Sequence, residues 1–429
     1  MSGSEEALEV QPPRGLWRWL GPGLITGASD DDPSGIATYA QVGAQFGYGM
    51  SWVMLFSWPL MAAIQEICAR IGRVTGEGIA GNIRRHYPPW LLRGAVALLL
   101  VANVINLGAD LGAMGDAVQL VVERGPRFAY VVLFGVFCGA LEIFMQYRSY
   151  VRVLKWTTVT LFAYVATAFA VDVPWLTVLH DLVLPSISLE TKYIVAIVAV
   201  MGTTISPYLF FWQSSQEAED EREDPLAKPL VDAPQQAARE IHRIRMDTYL
   251  GMGFSNLIAL FIIVTTAATL SAHGVTDIGT SAQAAEALRP IAGEFAFLLF
   301  ALGIIGTGML AVPVLAGSAA YAVGEALEWP IGLARLPNEA RAFYATIAVA
   351  TAIGVGMNVL DLDPIKALFW SAVLNGVVAV PLMVVTMMMA LTPRVMGPFV
   401  LPRTLALMGA LATGVMALVV AAMFVTWGQ

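Results

Sequence analysis

Three consecutive aspartates, Asp30, Asp31 and Asp32, followed at once by Pro33, stand inside an otherwise apolar run. Each charge near a bilayer centre costs about 2.5–3.5 kcal/mol on insertion scales, so three together demand compensation. Carboxylate oxygens hold hard cations, and Pro33 removes a backbone donor in a stretch already weakened by glycines. Carbonyls freed at that depth, beside a carboxylate, make a cation site. Asp30 and Asp31 suit a water-filled vestibule better than direct ligation. A second stretch repeats the grammar: Gly202, Thr203 and Thr204 precede Ser206 and Pro207 in the middle of another apolar run. Pro33, Pro207 and Gly202 are accordingly expected to break their helices.

The elements that must carry these residues are membrane spans. The chain is 57% hydrophobic and only 13% charged, and its charges gather between apolar stretches of the length a bilayer requires. Eleven spans are expected, over 20–44, 50–72, 92–122, 127–146, 152–173, 190–216, 247–271, 293–324, 341–359, 365–391 and 402–427. The interrupted segments are the first and the sixth. They correspond to each other if five helices are repeated with inverted topology, and such pairs point to a midplane binding site. Residues 1–14 are expected to form a disordered cytoplasmic tail, residues 15–427 one transporter domain, and residues 217–246 a solvated cytoplasmic loop. With the N-terminus inside, all but five of the 24 basic residues fall on the cytoplasmic side, which favours an inside N-terminus and an outside C-terminus.

Several function classes are disfavoured. A net charge of −8 argues against a nucleic-acid surface. Cys68 and Cys138 lie in apolar segments and give no disulfide framework, and the four histidines are scattered. No metalloprotease, serine-hydrolase or nucleotide-binding motif is found, so an enzyme is not expected. Neither a cofactor nor an obligate protein partner is indicated. The expected partners are a divalent metal ion as substrate and the lipid bilayer.

At these residues the chain resembles the Nramp family of divalent metal transporters, over nearly all of residues 15–427. Gly21-Pro-Gly and Asp32-Pro33-Ser34-Gly35-Ile-Ala-Thr are similar to the family's first-helix motif. Ile67-Cys-Ala-Arg-Ile-Gly-Arg-Val-Thr-Gly76 is similar to its second helix, and Leu299 to Gly308 with Leu315-Ala-Gly317 to its eighth. The resemblance implies an all-α membrane protein with the fold named for the bacterial leucine transporter: two inverted five-helix repeats plus an eleventh helix, helices one and six broken. Asp32 then matches the metal-binding aspartate. The family's ligating asparagine falls on Gly35, its methionine on Ser206 and its histidine on Tyr208. A thioether is a soft ligand, and its loss leaves oxygens only. Those are the Asp32 carboxylate, the Ser206 and Ser34 hydroxyls and carbonyls near Ser29 and Thr203. Magnesium favours hard oxygens and keeps several waters, and the smaller side chains leave room for them. This pattern resembles the Nramp-related magnesium transporters, with manganese as the competing ion.

The resemblance also bears on coupling. Asp110 matches a third-helix aspartate of the family, but Ala113 replaces the acidic residue that follows it. Tyr208 does not titrate near neutrality unless strongly perturbed, and the ninth span has Arg341 only at its mouth. Uniport is therefore expected, inward and across a bacterial inner membrane. Asn375 is a further candidate for metal binding, and Glu66 and Asp116 for the vestibule or a proton route. The alternatives are a proton-coupled manganese or transition-metal transporter, an organic-cation transporter, and a non-transporting membrane sensor.

Overall fold

The computed structural model describes residues 22–144, 157–360 and 363–427. The tail expected over 1–14 and the ends of the first, fourth and fifth spans, at 20–21, 145–146 and 152–156, lie outside these residues. Among the described residues every regular element is a helix. Among these residues nine helical stretches are long and apolar enough to cross a membrane, ten if one bent pair counts as a span.

The first expected span is two helices, α1 (Pro22–Asp30) and α2 (Pro33–Phe46). The break follows from local chemistry. A residue before proline is driven out of the helical region, and Asp32 is extended at φ −72°, ψ 171°. Pro33 then occupies the first helical position, where its missing N–H costs nothing. Next come α3 (Trp52–Thr75), the short amphipathic α4 (Ile79–His86), α5 (Pro89–Val122) and α6 (Arg127–Phe144). The fifth expected span shows α7 (Phe162–Ala170), followed by α8 (Trp175–Val183) after a bend of 117°.

The second broken span repeats the first. Helix α9 (Thr191–Thr204) stops, Ser206 is extended at φ −78°, ψ 132°, and α10 (Pro207–Glu223) restarts on its proline. Gly202, expected to help break this helix, lies within α9. An added Cβ there would stand 2.0 Å from the Ala372 carbonyl and 2.6 Å from the Gly376 nitrogen. Its role is a close backbone crossing, and the break belongs to Ser206–Pro207.

The remaining spans are α11 (Ala237–Thr269), α12 (Ala296–Leu327), α13 (Arg341–Met357), α14 (Pro364–Ala390) and α15 (Arg403–Thr426). Helix α10 runs on to Glu223 and α11 starts at Ala237, so helix occupies much of the connection expected over 217–246. Glu217 there is fully buried and paired with Arg243 at 2.5 Å.

Burial sorts the helices. The apolar stretch of α9–α10 is enclosed throughout, whereas α6 and α15 present Leu133, Val136, Leu407 and Leu418 outward, as lipid-facing helices do. Helix α1 lies against α11, α2 against α11 and α14, and α9 against α14. The two broken spans therefore form the centre of the molecule.

Candidate functional site

Asp32 is the N-cap of α2. Its Oδ1 accepts from the Gly35 backbone N–H and from the Ser34 hydroxyl, both at 2.7 Å. Its Oδ2 accepts from the Asn106 amide at 3.1 Å. Asn106, on α5, also reaches the Asp110 carboxylate at 3.4 Å. The Asn106 carbonyl oxygen accepts from Ser371 at 2.9 Å and from Asn375 at 3.3 Å, both on α14. One buried amide thus ties the broken first span to two other helices. Of the residues expected from sequence, Asp32, Ser34, Gly35, Asp110 and Asn375 meet in this network.

Asp30 and Asp31 face elsewhere. Both carboxylates are acceptors for one hydroxyl of α11, that of Ser255, which lies 2.6 Å from Asp30 Oδ2 and 3.0 Å from Asp31 Oδ1. A serine has a single proton to donate, so it cannot serve both carboxylates at once, and Asp30 Oδ1 is buried without a partner. The helix break therefore splits three sequential acids between two neighbourhoods: one acid toward α5 and α14, two toward α11.

The second broken span is braced to the first. The Tyr208 hydroxyl donates to the Ser29 carbonyl at 2.9 Å, and the Thr203 hydroxyl meets that of Tyr39 at 2.8 Å. The Ser206 hydroxyl lies 2.6 Å from the Thr203 carbonyl and 2.7 Å from that of Gly202, and can donate to either. Of the two carbonyls expected as ligands, that of Ser29 thus already accepts a protein hydrogen bond, and that of Thr203 does so whenever Ser206 donates to it. Their second lone pairs and those of the Ser206 oxygen remain for a cation. Ser318 donates to the Tyr208 carbonyl at 2.8 Å and fixes the first turn of α10 to α12.

Glu66 and Asp116 do not join the network. Glu66 is buried against Arg70 at 2.5 Å, one turn on in α3, and Asp116 is half-buried farther along α5. Asn106, Ser371 and Ser255 are functional candidates that sequence reasoning missed. The nearest signal was their polarity inside apolar spans, which any interhelical hydrogen bond would also produce. Among the described residues no three His, Cys, Asp or Glu side chains are grouped to hold a metal. The Asp32 neighbourhood instead sets the Asp32 carboxylate among hydroxyls, amides and carbonyls, with a second carboxylate, that of Asp110, on the same Asn106 amide.

Two broken helices packed together at the centre of a bundle that is helical throughout its described residues are the architecture of a multi-pass membrane transporter. The chain belongs to the Nramp family: the model for "natural resistance-associated macrophage protein-like" sequences matches residues 23–426. It is 26% identical over 417 residues to a divalent metal cation transporter MntH of Acidiphilium cryptum, covering 93% of this chain and 86% of the relative. A protein of the same name from Deinococcus radiodurans is 26% identical over 408 residues, covering 92% and 88%. Among solved structures, the Eremococcus coleocola manganese transporter superposes with a TM-score of 0.75 at 18% identity, covering 97% of this chain and 90% of that one. The nucleobase–cation symporter Mhp1 shares the fold more distantly, with a TM-score of 0.55 at 14% identity over 95% and 92% of the two chains.

Proposed function

We infer that this transporter carries a hard divalent cation, magnesium ahead of manganese, inward across a bacterial inner membrane and without coupled protons. The observation that carries the reading is the company of Asp32: its carboxylate is held by Ser34, Gly35 and Asn106, through hydroxyl and amide groups, with no sulfur or imidazole among these partners. An ion that sheds its water reluctantly is satisfied by one carboxylate, a few oxygens and retained waters. A softer ion gains from a thioether, and Ser206 stands where the family resemblance calls for one. Direct contacts from Asp32, Ser206, Ser34 and Asn375, with carbonyls near Ser29 and Thr203, complete the proposed set. Gly35 contributes its backbone N–H to Asp32, and Tyr208 acts as a brace.

The same reading takes the chain as eleven spans in two inverted repeats plus one, with the N-terminus and 217–246 cytoplasmic and the C-terminus outside. Asp30 and Asp31, around Ser255, belong to the vestibule. Proton-coupled manganese transport is the second reading. It is favoured by the kinship with divalent metal cation transporters and a manganese transporter, and by Asp110, which shares Asn106 with Asp32.

The test is uptake of magnesium and of manganese into proteoliposomes carrying an internal pH dye, for wild type and Asp32→Ala. Magnesium entry at constant internal pH, lost in the variant, is the expected result. Manganese-only entry with acidification would establish the second reading in its place.

A further inference from the structure

We propose that the cavity between the end of α4 and the α14–α15 connection binds the phosphodiester headgroup of an anionic phospholipid. The cavity, about 400 Å³, is lined by His86, Tyr87, Met388, Thr392, Arg394 and Val395. Its charge pattern departs from that of its surroundings. The chain is acidic overall, at −8, and neighbouring arginines carry their own carboxylates: Arg84 pairs with Glu328 and Arg85 with Glu77. Arg394 is exposed and has no carboxylate partner among the described residues. A guanidinium presents paired N–H donors that match two oxygens of a phosphate.

His86 supplies a donor of another kind. Burial, and then the positive charges of Arg394 and Arg85, hold its imidazole below the ordinary range. The ring is therefore neutral near pH 7 and offers one N–H without adding charge.

The apolar side of the cavity selects a lipid over a free anion. Met388 and Leu391, on the last turn of α14 and just beyond it, are each 46% exposed. Trp90, four residues past His86, is 69% exposed, as a tryptophan at the headgroup level would be. One cationic donor, Arg394, and one neutral donor, His86, thus share a cavity with the exposed Met388, the combination a phosphodiester and its acyl chain require. With the proposed orientation the cavity lies at the cytoplasmic leaflet, where anionic lipid attracts basic groups. The inference needs only that placement and is independent of the ion carried.

Native mass spectrometry of the full chain, released from phosphatidylcholine vesicles with and without phosphatidylglycerol, tests it. Wild type should retain one phosphatidylglycerol. Arg394→Gln should weaken retention on the order of fivefold, the effect of about one surface charge, and Arg394→Lys should restore it. Met388→Glu, which leaves Arg394 in place, should weaken it too. Unchanged thermal midpoints in pure phosphatidylcholine would show that all three variants fold. Equal retention by wild type and Arg394→Gln would overturn the proposal. So would displacement of the lipid by millimolar inorganic phosphate, which would mark a small-anion site.

Discussion

At the scale of single residues, Asn106 decides how Asp32 is presented. Its amide donates to the carboxylate and its carbonyl oxygen is held by Ser371 and Asn375, so the orientation of the group is fixed from α14. A hydrogen bond to a charged group is worth about 1.5–3 kcal/mol. Asn106→Ala should therefore weaken magnesium binding on the order of ten- to a hundredfold by calorimetry, while Asp32→Ala abolishes it. Affinity at or above wild type in Asn106→Ala would show that Asn106 competes with the ion. Gly35 supports a second prediction. A Cβ there would sit 3.2 Å from the Tyr39 ring and 3.3 Å from the Asp30 backbone carbonyl, a tight fit that both neighbours must relieve by a few tenths of an ångström. Combined Gly35→Asn and Ser206→Met should shift preference from magnesium toward manganese in competition uptake; an unchanged ratio would remove these two positions from the selectivity argument. Asp32 was legible in sequence because a carboxylate beside proline inside a span conflicts with both the bilayer and the helix. Asn106 was not, because its partner Ser371 lies 265 residues away and an amide in a span has many bland uses.

At the scale of elements, the broken spans are held by backbone proximity. A Cβ on Gly27 would lie 2.4 Å from the Gly251 backbone, so α1 rests on α11 with no side chain between them. The Asp247 carboxylate accepts from the Gly23 N–H at 2.7 Å, at the start of the same helix. Gly27→Ala should lower the thermal midpoint by an amount matching about 1–3 kcal/mol of overpacking. Gly414→Ala, on α15 where an added Cβ meets nothing within 4 Å, should be neutral or stabilising. Equal behaviour of the two would mean that α1 is free to retreat from α11. The positions of both breaks could be read from Asp32–Pro33 and Ser206–Pro207, since proline constrains its own backbone and that of the residue before it. Gly202 was misjudged because a glycine that permits a crossing and a glycine that weakens a helix are identical in sequence. The reach of α10 to Glu223 was missed for a related reason. Its acidic residues read as solvated, whereas Glu217 is buried against Arg243, a partner 26 positions on.

At the scale of the whole molecule, the driving force follows from what the centre carries. Uniport of a dication responds to membrane potential and concentration alone, and an inside-negative 100 mV supplies about 2.3 kcal/mol per charge. Two charges gain about twice that, enough at equilibrium for accumulation of roughly three orders of magnitude. Proteoliposomes given a potassium diffusion potential, negative inside, should therefore concentrate magnesium far above the external level at equal pH on both sides. A pH gradient imposed without a potential should leave the final level unchanged. Accumulation that follows the pH gradient would mean that protons move with the ion. The route would then have to use the carboxylates that the bundle already gathers at its centre, Asp110 beside Asn106 and the Asp30–Asp31 pair around Ser255. Ser255→Ala would separate the two routes. It removes the one donor shared by Asp30 and Asp31 and leaves Asp110 untouched, so coupling lost in that variant would run through the pair, and coupling retained would run through Asp110.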